Sequence, residues 1–151
     1  MKKFSLILLL TVLSFGSYAK TAKEACKVLK GVAAELQEQI PLKVDYMTTL
    51  SGVQALYVSK SCMLNYMYII DTDQLLKEMV AENELTREEN VAFLKTDEGF
   101  SNLEQVLGQI ANNAKDRFEV FTEIKGMKIT YTYTFDDLSF KPITALVLDT
   151  N

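Results

Sequence analysis

Two stretches of this chain repeat one pattern, and few folds can accommodate it. Met63-Leu64-Asn65-Tyr66-Met67-Tyr68-Ile69-Ile70-Asp71 is echoed by Lys128-Ile129-Thr130-Tyr131-Thr132-Tyr133-Thr134-Phe135-Asp136. Each carries an apolar residue, a Tyr-x-Tyr, two further residues and an Asp in the same order. Alternation with β-branched and aromatic residues marks a strand. In the second stretch Ile129, Tyr131, Tyr133 and Phe135 share one side, while Lys128, Thr130, Thr132 and Thr134 share the other. In the first, Cys62, Leu64, Tyr66, Tyr68 and Ile70 share a side, with Met63, Met67 and Ile69 opposite. Two central strands under the same packing demands would produce this likeness.

The start of the chain reads as a targeting segment. Lys2 and Lys3 precede an apolar run from Phe4 to Phe15, and Gly16-Ser17-Tyr18-Ala19 places small residues before a cleavage point after Ala19. The run is short for a membrane span, which needs ~20 apolar residues. Residues 1–19 are therefore expected to be a signal peptide and 20–151 a single domain. The expected location is periplasmic or secreted, with no span after cleavage. Loss of Lys2 and Lys3 leaves 14 of the 16 basic residues against 20 acidic ones, a net −6. That acidity, without a basic patch, argues against nucleic acid as a partner. In an exported chain the two cysteines, Cys26 and Cys62, have one possible pairing. They lie too far apart in sequence for a C-x-x-C redox or zinc motif.

Helices account for much of the remainder. Thr21-Ala22-Lys23-Glu24 is a capping box that starts a helix ending before Pro41, with Cys26, Leu29, Ala33, Leu36 and Ile40 on one face. Leu42–Leu50 alternates as a half-buried strand, and Ser51-Gly52 reads as a turn. Val53–Val58 reads equally as a short strand or an irregular link. Asp71-Thr72-Asp73 caps a helix, Thr86–Glu89 a second, and Ser101–Glu104 a third, with a break at Asp97-Glu98-Gly99. A hairpin closes the chain, its last strand running Phe140–Leu148 with Pro142 marking an edge. The expected fold class is α+β: an antiparallel sheet of about four strands with helices packed on one face, in the order α-β-β-α-α-β-β. With helix one on the tyrosine face, Cys26 and Cys62 meet and staple helix to sheet.

Little in the sequence carries chemistry. It has no His and no Trp, so Ser-His and Cys-His pairs are impossible and the usual neutral-pH base is missing. No Gly-rich phosphate loop or Gly-x-Ser-x-Gly is present, and Ser59-Lys60-Ser61 reads as a polar turn. Asp45, Asp71, Asp73, Asp136 and Asp137 raise the question of paired carboxylates. Their positions at strand ends fit caps and turns better. Asp71-Thr72-Asp73 lacks the rest of a calcium loop. No catalytic, metal or cofactor residue is assigned, and no cofactor is expected. The tyrosines read as core aromatics rather than a binding platform. Met63, Met67 and Ile69, on the other side of the strand, are the expected partner surface.

Pro41-x-x-Val44-Asp45-x-x-Thr48-x-Leu50, Tyr66-x-Tyr68 and the Gly126-led Tyr131-x-Tyr133 hairpin resemble a group of small exported bacterial proteins of unknown function. The resemblance covers most of the chain after the leader and implies fold and export, with no activity. That group is expected to carry a cysteine before the late Gly and another near the C-terminus. This chain has Ala114 near the first position and no late Cys, so the group's pairing does not transfer.

The expected function is that of an exported, non-enzymatic protein-binding domain: an inhibitor, an immunity protein or an envelope-assembly factor. The alternatives are a small-ligand carrier and a carboxylate-based cell-envelope hydrolase.

Overall fold

A computed structural model describes residues 19–137 and 139–151; the leader expected over residues 1–19 thus falls almost wholly outside the described residues. The fold is α+β. Helix α1 (Ala22–Gln37) is followed by strands β1 (Leu42–Lys43), β2 (Thr48–Val58) and β3 (Ser61–Ile70). Helices α2 (Thr72–Asn83), α3 (Arg87–Leu94) and α4 (Asp97–Asn113) come next, then a 3₁₀ segment (Lys115–Phe121) and strands β4 (Met127–Phe135) and β5 (Ile143–Asp149).

The strands form one five-stranded sheet in the order β1-β2-β3-β4-β5. It is mixed, which corrects the expectation of an antiparallel four-stranded sheet. β3 and β4 run parallel, and every other neighbouring pair runs antiparallel. The cause is the long helical connection between the two tyrosine strands. A connection of that length can return the chain to the starting end of the sheet, as parallel pairing requires. The pairing register is that of the sequence repeat: Met63 lies beside Lys128, Tyr66 beside Tyr131, Tyr68 beside Tyr133 and Ile70 beside Phe135.

Three strands, not two, precede the helical middle. Leu42–Leu50 is a tight hairpin rather than one strand, pairing Leu42 with Leu50 and Lys43 with Thr49. Asp45 folds it: its carboxylate accepts the amides of Met47 at 2.8 Å and Thr48 at 2.6 Å. Ser51-Gly52 is not a turn. It is a bulge inside β2, where the register shifts between Leu50 and Gly52. The true turn is Ser59-Lys60, both at positive φ (51° and 70°), as a two-residue hairpin loop demands.

Asp97-Glu98-Gly99 opens α4 rather than breaking the chain, with Thr96 as its N-cap; Ser101–Glu104 lies inside that helix. A side chain at Gly99 would overlap the Phe93 carbonyl, so glycine here lets α4 start hard against the end of α3. The capping boxes at Thr21 and Thr86 form as expected.

α1 packs on β2 and β3, and α4 packs on β5. The core lies between helices and sheet and includes Leu29, Leu64, Leu76, Leu107, Met127, Ile129 and Phe135. Cys26 and Cys62 are bonded, with Cα atoms 5.3 Å apart, and both are buried. The bond ties α1 to the first residues of β3. Replacing both cysteines by Ala is expected to lower unfolding stability by about 3–4 kcal/mol through the freed loop of the unfolded chain. Urea denaturation of the oxidised wild type against the Cys26→Ala/Cys62→Ala variant measures it.

Candidate functional site

The two faces of the sheet are built from alternate residues of the same strands, so the sequence that fills one face fixes what the other presents. On the helix-covered face the tyrosines form a ladder. Tyr66 meets Tyr131 edge-on with centroids 5.5 Å apart, Tyr68 meets Tyr131 at 5.2 Å, and Tyr68 stacks on Tyr133 at 5.4 Å. Phe118 from the 3₁₀ segment closes the cluster against Tyr66 and Tyr131. Each such pair contributes about 0.5–1.5 kcal/mol beyond its burial. Tyr131 and Tyr133 are buried, while Tyr66 and Tyr68 keep part of their rings accessible. The tyrosines thus share the face of Cys62, Leu64, Ile129 and Phe135, as the alternation requires.

The opposite face is uncovered among the described residues. Met63 is 42% exposed and Ile69 38%, and Met67 is partly buried. Met67 lies over Gly52, occupying the space a side chain there would take. Leu56, 42% exposed, stands directly across from Met63 in the β2–β3 register. On β5, Leu146 is 52% exposed. Neither Leu56 nor Leu146 was legible as part of this surface. Leu56 sits in the unbroken apolar run Ala55–Val58, which shows no alternation. Leu146 sits near a second register shift on the far strand.

Between the apolar flanks runs a polar seam. The Asn65 side-chain oxygen accepts the hydroxyls of Thr130 and Thr132, each at 3.0 Å, and Thr134 donates to the Tyr68 carbonyl at 3.0 Å. Thr132 and Thr144 share a further hydrogen bond at 3.3 Å. These bonds run across β3, β4 and β5, so the seam stiffens the floor of the surface. The face as a whole offers apolar side chains on a rigid backbone.

The five aspartates singled out by sequence all have local duties. The Asp71 carboxylate accepts the Gln74 amide at 2.9 Å, and Asp136 accepts the Thr72 amide at 2.8 Å. The two repeat-ending aspartates therefore cap the same helix, α2. The Thr72 hydroxyl and amide hold Asp136 below the usual carboxylate range. Asp137 is held low by the Ser139 amide, which it accepts at 2.9 Å. Asp73 pairs with Arg87, and Asp45 folds the β1–β2 turn. Neither Asp136 nor Asp137 has the raised pKa of a general acid.

No family model matches the chain, and no curated protein matches it. Among solved structures it is similar to a Pseudomonas aeruginosa crystal structure described as that of a "putative secreted protein", at 16% identity and a TM-score of 0.46. The likeness covers 85% of this chain and 91% of that one.

The tyrosine ladder makes a testable statement about alkaline pH. Burial pushes Tyr133 up to about 12 and moves Tyr66 and Tyr68 the same way. Tyr131 is raised by burial against the opposing charge of Arg117. Unfolded tyrosine ionises near pH ~10. The folded state therefore holds protons that the unfolded state has lost above that pH. Stability is full below pH ~10 and falls as pH rises through ~12. Tyrosinate absorbance from the ladder should therefore appear only together with unfolding, above pH ~10. Ionisation of the ladder near pH ~10 with the fold intact would contradict this.

Proposed function

We propose that the chain is an exported protein-binding domain whose open sheet face receives a protein partner. One observation carries the reading: a stiff sheet exposes Leu56, Met63, Ile69 and Leu146 on a face that no helix among the described residues covers. Isolated exposed apolar residues are ordinary, but an apolar set on a shared rigid surface is the usual mark of an interaction site. The helices have their own apolar surface in the tyrosine face and do not compete for this one.

The bonded Cys26–Cys62 pair supports an oxidising compartment, in keeping with the expected leader and a periplasmic or secreted location. The engagement of the five aspartates in caps, turns and an ion pair favours binding over a carboxylate hydrolase. The partner's own surface is expected to be apolar at its centre, with hydrogen-bonding groups over the Asn65–Thr132 seam. An inhibitor, an immunity protein or an assembly factor would each use such a face.

A second reading, a small-ligand carrier, draws on the half-buried Tyr66 and Tyr68. Tyrosine fluorescence that shifts with an added aromatic or sugar ligand would favour it.

Photo-crosslinking residues placed at Met63 and at Leu146 test the leading reading in cells that export the chain. Both positions should trap a protein of the same mass, and a probe at Lys30 on the outer side of α1 should not. Adding Ile69→Lys should cut the yield at least about tenfold while leaving the thermal midpoint within a few degrees, as an exposed substitution does. Equal yields from Lys30 and Met63, or none from the open face, would overturn the assignment.

A further inference from the structure

The two edges of the sheet are protected unequally, and the difference points to a partner for one of them. β5 enters through Lys141-Pro142 and ends at Asp149, so charges and a proline flank it. β2 carries no charge or proline of its own, and only Lys60 beyond its end flanks it. From Tyr46 to Ser59 the sequence contains no charged residue, in a chain that is 24% charged. β1 covers β2 only at Thr49 and Leu50. Beyond the bulge, Gly52–Val58 has no strand on its outer side; Gly52, Val53 and Ala55 are buried under α1, while Leu56 is 42% exposed, Tyr57 37% and Val58 53%.

The backbone groups on that edge follow from one hydrogen bond. The Val53 amide donates outward to the side-chain oxygen of Gln37, at 3.3 Å, from just past the bulge. Alternation then turns the amides and carbonyls of Ala55 and Tyr57 outward, while those of Gln54, Leu56 and Val58 pair with β3. The Ala55 and Tyr57 amides have no partner among the described residues. A helix side chain thus caps the first outward amide, and the next two have no hydrogen-bond partner among the described residues, Tyr57 on an exposed residue and Ala55 on a buried one.

We propose that a second copy of the chain occupies this edge, β2 pairing antiparallel with β2 of its mate about a two-fold axis at Leu56. In that register Ala55 lies beside the mate's Tyr57 and exchanges backbone hydrogen bonds with it, and Tyr57 does the same with the mate's Ala55. The large tyrosine stands beside the small alanine on the helix-covered side. Leu56 meets its own copy on the open side, with Met63 next to each. The Gln37 cap on Val53 stays in place. Chains of net −4, or −6 without the expected leader, repel one another, and an uncharged strand is where two of them meet at least cost. The result is one ten-stranded sheet in which the two open faces join. This goes beyond the proposed partner site, which lies on the face and does not require the edge.

Sedimentation velocity on the exported chain, with its disulfide intact, tests this at micromolar concentrations. The wild type should run at twice the monomer mass. Leu56→Lys should raise the dissociation constant at least about tenfold, because symmetry sets the two lysines side by side. Ala55→Pro removes one outward amide at an edge where proline is tolerated, and it should give monomer too. Leu146→Lys, on the far strand, should leave the dimer intact. Leu56→Cys should close a disulfide with its mate, since residues opposed at a non-hydrogen-bonded position sit ~4.5 Å apart at Cα. Gln54→Cys should not. A monomeric wild type, which leaves the edge to a foreign strand or to none, overturns the proposal. So does a dimer that persists in folded Leu56→Lys and Ala55→Pro. Because photo-crosslinks from Leu146 report the face alone, the two proposals fail separately.

Discussion

The parallel, in-register pairing of β3 with β4 is the constraint on which the other elements depend. It sets Tyr66 beside Tyr131 and Tyr68 beside Tyr133, so one aromatic surface forms from residues far apart in sequence. Parallel neighbours cannot be joined by a tight turn, and the chain must leave the end of β3 and return to the start of β4. That requirement accounts for the helical middle. The crossover begins where both strands finish. Asp71 and Asp136 close the two repeats, lie at neighbouring strand ends and cap the same helix. The Asp137 amide donates back to the Thr72 hydroxyl at 3.3 Å. The shared aspartate of the repeat is therefore part of the pairing, fixing where the crossover helix departs.

The other end of the pair is held by different chemistry. Cys62 lies beside Met127, its amide donates to the Gly126 carbonyl at 2.7 Å, and its sulfur is bonded to Cys26 of α1. The Thr150 hydroxyl accepts the Met127 amide at 2.8 Å and donates to the Ile124 carbonyl at 2.6 Å, drawing the C-terminal residues onto the same corner. Each end of the central pair thus has a clamp, aspartate caps at one and the disulfide corner at the other. Between them the tyrosine ladder supplies the packing. A register slip of one residue would turn every tyrosine toward solvent and separate both clamps at once.

Much of this was legible where the signal is local. The capping boxes at Thr21 and Thr86, the alternation of β3 and β4, the cysteine pairing and the direction of the methionines all follow from short-range pattern. Strand direction did not. The nine-residue likeness was visible, and its match to the pairing register was not drawn from it, because alternation is the same for parallel and antiparallel neighbours. The region from Leu42 to Val58 was misread for a related reason. Strict alternation runs through the Asp45 turn, and the Ser51-Gly52 bulge imitates a turn while the strand continues. Periodicity reports which side a residue takes and is blind to a reversal that preserves it. Leu56 and Leu146, which complete the apolar surface around Met63, Met67 and Ile69, were missed for two reasons: Leu56 lies in the unbroken apolar run Ala55–Val58, where no alternation shows, and Leu146 lies at a register shift.

The composition of the open face bears on why it stays open. On β4 the outward positions are Lys128, Thr130, Thr132 and Thr134, residues that keep strand propensity without demanding cover. The other strands mix the two kinds: β3 turns Met63, Met67 and Ile69 outward with Asn65, β2 Leu56 with Gln54, and β5 Leu146 with Thr144. None of these is needed to fill the core, which the tyrosine face completes with the helices. Exposed apolar residues on a sheet raise the risk of aggregation, and the monomer gains no packing from them in return. The hydrophobes of the middle strand β3 thus lie beside the threonines of β4, with Leu56 and Leu146 on the strands further out. Such exposure is a cost to the chain alone, which the proposed partner would offset by covering it.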